Sequence, residues 1–240
     1  MPKAPAVKAI NRVKDLTGNN GKSEATKKGI IEASITPPNL VIGHFLIRGT
    51  SDYVQNAFPA KARQQMHDTQ EAGSQSKKGK KREPKDFQRA FEEATHRAAD
   101  GSYGLPAGGL RSAMISACRL VGFKMTHAKL AMWIEADTVD ALYETPLVKI
   151  TKGKPIYFEQ PLANANGSYD LRARPMFKAG WEAVVRVCFD ADIFSPQDIL
   201  NLLARAGRQI GIGAGRNDST NCAGCGWGSF DVISTATEEK

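Results

Sequence analysis

A glycine-rich run near the C-terminus has residue types suited to holding a phosphate chain. Between positions 210 and 230 glycine occupies every second position at both ends, and the run includes Gly213, Gly215, Arg216 and Trp227. Glycine has no Cβ to keep a backbone or a phosphate at a distance, and arginine pairs with phosphate oxygens. We therefore expect this run to contact a ligand or a neighbouring subunit; a glycine-rich turn without a ligand is the alternative.

A second glycine-rich segment opens a helix that is predicted over 107–121. Gly108 and Gly109 lie at its start, and its apolar residues repeat at helical spacing. The amide groups of such a helix start are open to an anion. Arg111 and Arg119 lie on faces that could point to solvent or to phosphate.

The chain is basic, with 33 Lys and Arg against 25 Asp and Glu, a net charge of +8 and a pI near 9.3. This balance favours a polyanionic partner. The cluster of Lys77, Lys78, Lys80, Lys81 and Arg82 lies in a stretch too poor in apolar residues to join a core. We expect a flexible loop there and a flexible basic arm over residues 1–35. Either could bind a phosphate backbone, and a solvated surface is the alternative.

Several classes of protein are disfavoured by the sequence. No segment has the apolar length of a membrane span and no signal peptide is evident, so we expect a cytoplasmic protein without a membrane partner. Cys118 and Cys188 resemble small core residues, which leaves Cys222 and Cys225 as a single pair. A structural zinc normally needs four ligands, so we expect no metal and no cofactor.

The elements that must position these residues alternate between strand and helix. Strands are predicted over 40–47, 129–136, 181–190 and 227–233, and helices over 107–121 and 196–206. The order βαββαβ predicts an α+β fold with a ferredoxin-like (RNA-recognition-type) core that carries both helices on one face of its sheet. We expect residues 36–240 to form a single domain with long insertions at about 50–104 and 137–179.

Three segments together resemble the RAMP (repeat-associated mysterious protein) superfamily, which supplies backbone subunits of CRISPR effector complexes. They are the first strand running into Arg48-Gly-Thr-Ser-Asp-Tyr53, the helix entry Leu105-Pro-Ala-Gly-Gly-Leu-Arg-Ser-Ala113, and the glycine-rich run before the last strand. The helix entry has Ala107 and two glycines where the family has glycine and serines. The resemblance implies thumb-like insertions and a helical filament whose subunits each hold a few nucleotides of single-stranded RNA.

The chain also resembles small proteins encoded by tailed bacteriophages. For such a protein, a filament on single-stranded DNA or RNA is as compatible with the sequence as interference with a host CRISPR complex. Subunits of a CRISPR effector are therefore among the expected partners.

The leading hypothesis is a non-catalytic protein that binds single-stranded RNA or DNA without sequence preference and oligomerises along it as a filament. The predicted nucleic-acid-binding residues are Arg48, Tyr53, Lys77, Lys78, Lys80, Lys81, Arg82, Arg111, Arg119, Arg172, Arg174, Arg208, Gly213, Gly215, Arg216 and Trp227. The basic residues would contact phosphates, and the aromatic rings would stack on bases. Core packing is the alternative for each aromatic residue, and ordinary surface for each arginine.

Two other hypotheses are open. A RAMP-type endoribonuclease could use Asp52, in the loop after the first strand, or one of the histidines at positions 44, 67, 96 and 127. The sequence places no two of these as a base and its orienting partner. A virion or scaffold protein, whose charge tolerates packaged DNA, would stay monodisperse when an oligonucleotide is added.

Overall fold

Alternating burial along the first long strand sets the architecture of this α+β protein. The computed structural model describes residues 36–57, 64, 67–68, 86–163, 169–219 and 224–239. In strand β1 (Leu40–Gly49), Phe45 and Ile47 are buried, whereas His44 and Leu46 are only partly buried. A period of two means that one face of the strand packs on a core and the other is more open.

The other elements follow in chain order. The strands are β2 (Tyr53–Val54), β3 (Gly104–Pro106), β4 (Met132–Glu135), β5 (Thr138–Val139), β6 (Pro146–Lys152), β7 (Pro155–Ala163), β8 (Tyr169–Phe177), β9 (Glu182–Asp190) and β10 (Phe230–Glu239). The α-helices are α1 (Phe87–Glu93), α2 (Ala107–Ala117), α3 (Met125–Ala131) and α4 (Pro196–Arg205). A 3-10 turn, Cys118–Val121, continues α2, and a π-helical turn, Ala206–Ile210, continues α4.

The main sheet is antiparallel and is centred on β1 and β9. Strand β10 pairs with the outer edge of β1, and β9 pairs with its inner edge. Beyond β9 two strands share one edge, because β4 pairs with residues 186–189 and β6 pairs with Ala183 and Glu182. Strands β3 and β5 then pair with β6. A separate three-stranded sheet has the order β2-β8-β7.

Helices α2 and α4 cover the packed face of the main sheet. Leu110 and Met114 of α2 and Ile199 and Leu203 of α4 are buried in the same core as Val185 of β9. Their apolar residues recur at three- and four-residue spacing, which places them on one side of each helix. The described residues from Pro37 onwards form one compact unit around this core.

The α+β class expected from the sequence is confirmed, but two predicted strands began too early. The first residues of the strand predicted over 129–136 belong instead to helix α3, which ends at Ala131, and Leu130 is 83% exposed. Ala128 and Ala131 are buried at helical spacing instead, which a period-two reading does not detect. The last strand begins at Phe230, because Gly228 has a left-handed φ of +70° that belongs to a turn.

The insertion predicted at 137–179 divides between two structures. Strand β6 lies in the main sheet, where Leu147 and Val148 are fully buried. Strands β7 and β8 form a hairpin that is joined to the rest of the chain through β2. In the described part of the chain, no helix is both long and apolar enough to cross a membrane.

The start of α4 is stabilised by a reciprocal cap, and the cap leads to the first prediction. The Ser195 hydroxyl accepts a hydrogen bond from Asp198 N, and the Asp198 carboxylate accepts from Ser195 N at 3.0 Å. Replacing Ser195 with alanine should lower the free energy of unfolding by about 1 kcal/mol, whereas Ser195→Asn, which can still cap, should cost far less. Urea unfolding at pH 7 measures both, and equal losses would contradict a capping role.

The cap also makes stability depend on pH. Hydrogen bonds from the Ser195 side chain and then its backbone hold the pKa of Asp198 below its ordinary value, although burial opposes them. Because the folded-state pKa is lowered, this stabilisation is present above the ordinary carboxyl pKa and is lost as the pH falls through the lowered one. The difference between wild type and Ser195→Ala should therefore shrink as the pH falls from 7 to about 3.

Candidate nucleic-acid interface

A groove with a volume of about 1080 Å³ lies where helix α2, the glycine-rich loop and the β7–β8 hairpin meet. We call it the central groove. The residues that line it and carry the argument below are His96, Gly108, Gly109, Gln160, Arg172, Arg174, Gly213, Gly215, Arg216, Asp218 and Trp227. Three of these are arginines and one is a carboxylate, so the groove is positively charged.

The glycine-rich loop forms one wall and is held by its own backbone. Ile212 N donates to the Gly228 carbonyl at 3.0 Å, and Ala214 N donates to the Val54 carbonyl of β2 at 2.9 Å. Each bond joins parts of the chain that are distant in sequence. The loop therefore has a definite position beside β2.

The glycines at 213 and 215 are needed for this internal packing, which corrects the expected reason for them. A Cβ on Gly213 would lie 2.5 Å from the Val54 carbonyl oxygen, and one on Gly215 would lie 2.5 Å from the Trp227 ring. Both also have left-handed φ values, +76° and +71°. The groups that approach these two glycines closely therefore belong to the same chain. The loop is a structural turn that also lines the groove.

Helix α2 forms the second wall and presents an uncapped N-terminus. Its N-cap is Pro106, which makes no side-chain hydrogen bond to the first turn. Gly108 and Gly109 in that turn are exposed. The amide groups of the first turn have no partner within the helix, and they carry partial positive charge. This end of the groove is suited to an anion.

The β7–β8 hairpin forms the third wall and contributes two arginines. Arg172 and Arg174 are two residues apart on β8, so they share a face, and they lie opposite Gln160 and Phe158 of β7. Burial lowers the pKa of Arg174, and the neighbouring charge of Arg172 lowers it further. No residue in the described part of the chain pairs with the Arg174 guanidinium.

An aromatic contact joins the hairpin to the glycine-rich loop. The rings of Phe158 and Trp227 meet edge to face, with centroids 5.6 Å apart. Both side chains are only partly buried. Trp227 therefore offers part of its ring to the groove, as a surface for base stacking requires.

The charges at the loop end of the groove are partly compensated. Asp218 accepts from Arg119 at 2.7 Å. Burial raises the pKa of Asp218, but hydrogen bonds from Arg119 and Ser116 and the charges of Arg119 and Arg216 outweigh it and leave the pKa below its ordinary value. Arg216 donates to the Gly213 carbonyl at 3.1 Å, and this bond holds its side chain at the groove wall.

His96 is a groove-lining residue that the sequence offered only as one of four candidate histidines, without a partner and without a place among the nucleic-acid-binding residues. Its ring Nδ1 lies 3.0 Å from a carboxylate oxygen of Asp140, and these side chains are 9% and 1% exposed. The two residues are 44 positions apart. No spacing rule connects such a pair, so the sequence carried no signal for it.

Comparison with known proteins agrees with this description at the level of fold. No protein-family model matches the chain, and no curated protein matches its sequence. Chains of solved structures do match, among them one from the cryo-EM structure of the Type III-B Cmr-beta bound to cognate target RNA. This similarity is one of fold. The TM-score is 0.50 at 9% identity, and the match covers 84% of this chain and 61% of that chain.

Three predicted phosphate contacts lie elsewhere in the structure. Arg48 pairs with Glu182 at 2.8 Å on the open face of the sheet, and Arg208 pairs with Asp231 at 2.6 Å. Arg111 donates to the carbonyls of Met132 and Lys129 at the end of α3. Each guanidinium already has acceptors within the fold, which explains its position without a ligand.

Tyr53 is not a stacking surface, and Asp52 is not a groove acid. Tyr53 is 1% exposed and packs against Phe177 and Trp181, and burial raises its pKa. Asp52 accepts from Lys178 Nζ at 2.8 Å and from Ala179 N at 2.9 Å. Lys77, Lys78, Lys80, Lys81 and Arg82 lie outside the described residues, as do the arm over 1–35 and Cys222.

The loop glycines provide a matched pair of variants. Gly226 and Gly228 have φ values of +71° and +70°. A Cβ on Gly226 would have nothing within 4 Å, whereas one on Gly228 would lie 1.8 Å from the Ile212 carbonyl oxygen. We expect Gly226→Ala to lower the free energy of unfolding by about 1 kcal/mol, through backbone strain alone. Gly228→Ala should cost about 1–3 kcal/mol more, because the backbone must move.

Chemical unfolding of the two variants and wild type measures this difference. Equal losses for the two alanine variants would contradict the close packing of the loop on itself.

Proposed function

We propose that this protein binds single-stranded nucleic acid in the central groove, without reading its sequence and without cleaving it. Phosphates of the strand contact Arg172, Arg174 and Arg216 and the amide groups at the start of α2, and a base stacks on Trp227. Guanidinium and amide groups hold phosphates of any sequence, and every base has an aromatic face. A groove built from these groups is therefore tolerant of sequence.

The observation that carries the proposal is the environment of Arg174. Its guanidinium is desolvated, lies near a like charge on Arg172, and has no pairing residue in the described part of the chain. Arg174 is partly buried, and taking a cation even partly out of water is unfavourable unless it is paired. A phosphate in the groove would relieve that cost, and it would lie between the hairpin and the open start of α2.

The fold supports a more specific assignment. Strands β10, β1, β9 and β4 stand in that order, with α2 and α4 on one face. We infer a ferredoxin-like core, since a βαββαβ chain forms that fold with neighbouring strands antiparallel. The similar chain comes from a structure that contains target RNA. This supports a RAMP-like role with RNA, and possible partners among CRISPR effector subunits.

The sequence resemblances extend the proposal to the protein's setting. A phage-encoded protein of this kind acts in the cytoplasm of the bacterial host. Binding rather than cleavage is supported by Asp52, whose carboxylate is engaged by Lys178 and Ala179 and does not belong to the groove-lining residues named above.

Charge removal in the groove tests the proposal. Arg174→Gln and Arg172→Gln should each weaken binding of single-stranded RNA severalfold, to a similar extent for unrelated sequences. Each should also reduce the slope of log affinity against log salt by roughly 0.7, because one phosphate contact is lost. Fluorescence anisotropy with labelled oligonucleotides between low and moderate salt measures both quantities.

Arg205→Gln is the matched control. Arg205 is exposed on α4 and donates to Gln209, so this variant removes the same charge at a position away from the groove. Its affinity should stay within about twofold of wild type, since a single remote charge is screened beyond about 10 Å. Equal weakening in all three variants would point to non-specific attraction by net charge. No binding by wild type at low salt would remove the proposal.

Assembly along the strand is a separate part of the proposal and makes its own prediction. The filament expected from the family resemblance requires that mass increase with oligonucleotide length. Light scattering and negative-stain images of the protein with 10-, 30- and 60-nucleotide RNA should show a progressive increase in the number of subunits. A constant mass that does not respond to the oligonucleotide would favour a virion or scaffold protein.

A further inference from the structure

His96 lines the central groove and has one ring nitrogen without a hydrogen-bond partner among the described residues. The imidazole is nine-tenths buried, and the residue is one of those that line the groove. Its Nδ1 faces Asp140, whereas its Nε2 has no hydrogen-bond partner among the described residues. Nε2 is also not one of the fully buried polar atoms that lack a partner, so it retains accessible surface. Because His96 lines the groove, this is the part of the ring that a ligand in the groove can reach.

Asp140 determines which ring nitrogen carries the proton. One of its carboxylate oxygens accepts from Leu142 N at 2.8 Å and Tyr143 N at 3.0 Å, and the other faces His96 Nδ1 at 3.0 Å. A carboxylate can only accept, so Nδ1 must donate. In the neutral imidazole, Nε2 then offers a lone pair to the groove.

The backbone around His96 keeps the ring in place. The buried side chain of Gln55 accepts from His96 N at 2.9 Å and donates to the Gly104 carbonyl at 2.8 Å. Gly104 N in turn donates to the His96 carbonyl at 3.3 Å. The acceptor therefore has a fixed position beside the start of α2.

We propose that His96 Nε2 accepts a hydrogen bond from a ribose 2′-hydroxyl, so that the groove binds RNA in preference to DNA. This inference rests on the proposed function. Arginines and amides donate to phosphates, and phosphates cannot donate to Nε2. Among the groups of a nucleic-acid strand, base amino groups differ from base to base, whereas the 2′-hydroxyl is a donor at every ribonucleotide and is missing in DNA.

Three strands of one sequence test the preference. Labelled RNA, DNA and 2′-O-methyl RNA are compared by anisotropy; the methyl group removes the donor. RNA should bind about three- to tenfold more tightly than 2′-O-methyl RNA, which is the range of one neutral hydrogen bond. DNA should bind no better than 2′-O-methyl RNA.

Asp140→Asn provides a variant in which the proton moves. The asparagine oxygen can keep its bonds to Leu142 N and Tyr143 N, and the asparagine amide can donate to His96 Nδ1. Nε2 then carries the hydrogen and can no longer accept. In this variant the preference for RNA over 2′-O-methyl RNA should fall to about one, with affinity for 2′-O-methyl RNA within about twofold of wild type. A thermal melt confirms the fold, and if the variant does not fold, the three strands with wild type decide alone.

The outcomes separate this inference from the function on which it depends. If no strand binds at low salt, both the inference and the proposed function are contradicted. Equal binding of RNA and 2′-O-methyl RNA by wild type, or a preference that survives in folded Asp140→Asn, overturns the role of His96 and leaves the proposed function intact. Equal affinity for DNA and RNA has the same meaning. RNA cleavage that is lost in His96→Gln also overturns it, because Nε2 would then be a base.

Discussion

Backbone pairing by the two-residue strand β2 holds the central groove together. One edge of β2 pairs with β8 of the hairpin, and on the loop side Ala214 N donates to the Val54 carbonyl. Gly228 N bonds to the Asp52 carbonyl and Gln55 N to the Pro175 carbonyl, at 2.8 and 3.0 Å, and these extend the junction at both ends. The hairpin and the glycine-rich loop cannot separate without breaking these bonds. The distance between these two walls of the groove depends on them.

The charges around this junction divide into two kinds. Arg48, Arg119 and Arg208 each have a carboxylate within 2.8 Å, so their charges are compensated inside the fold. Exposed pairs of this kind contribute little to stability. Arg174 differs because it is desolvated beside another arginine. The net charge of the chain is thus a weaker guide to a binding surface than a site where two neighbouring arginines bring positive charge together.

The same junction explains why an insertion takes part in the site. Strand β6 of the segment over 137–179 is buried in the main sheet, whereas β7 and β8 leave it and return to pair with β2. The hairpin is therefore connected to β6 at its base and paired with β2 along one edge. Its arginines face a wall that the core elements supply, so the core and the insertion form one site.

Much of the architecture follows from local patterns in the sequence. The continuous apolar run of β1, the alternation along β9, and the cap and apolar spacing of α4 are properties of consecutive residues, and they predicted these three elements and the α+β class. The strand predicted over 129–136 shows the limit, because its Ala131 packs with the preceding Ala128 at helical spacing while its larger residues alternate. The tertiary structure decided what lies across from each side chain. Arg111 donates to carbonyls, and Tyr53 packs in the core. Gly213 and Gly215 contact their own chain, and His96 lies against Asp140. These neighbours come from other segments of the sequence. Local patterns determine which face of an element is apolar, but only the folded chain determines which distant group completes a charge or a hydrogen bond.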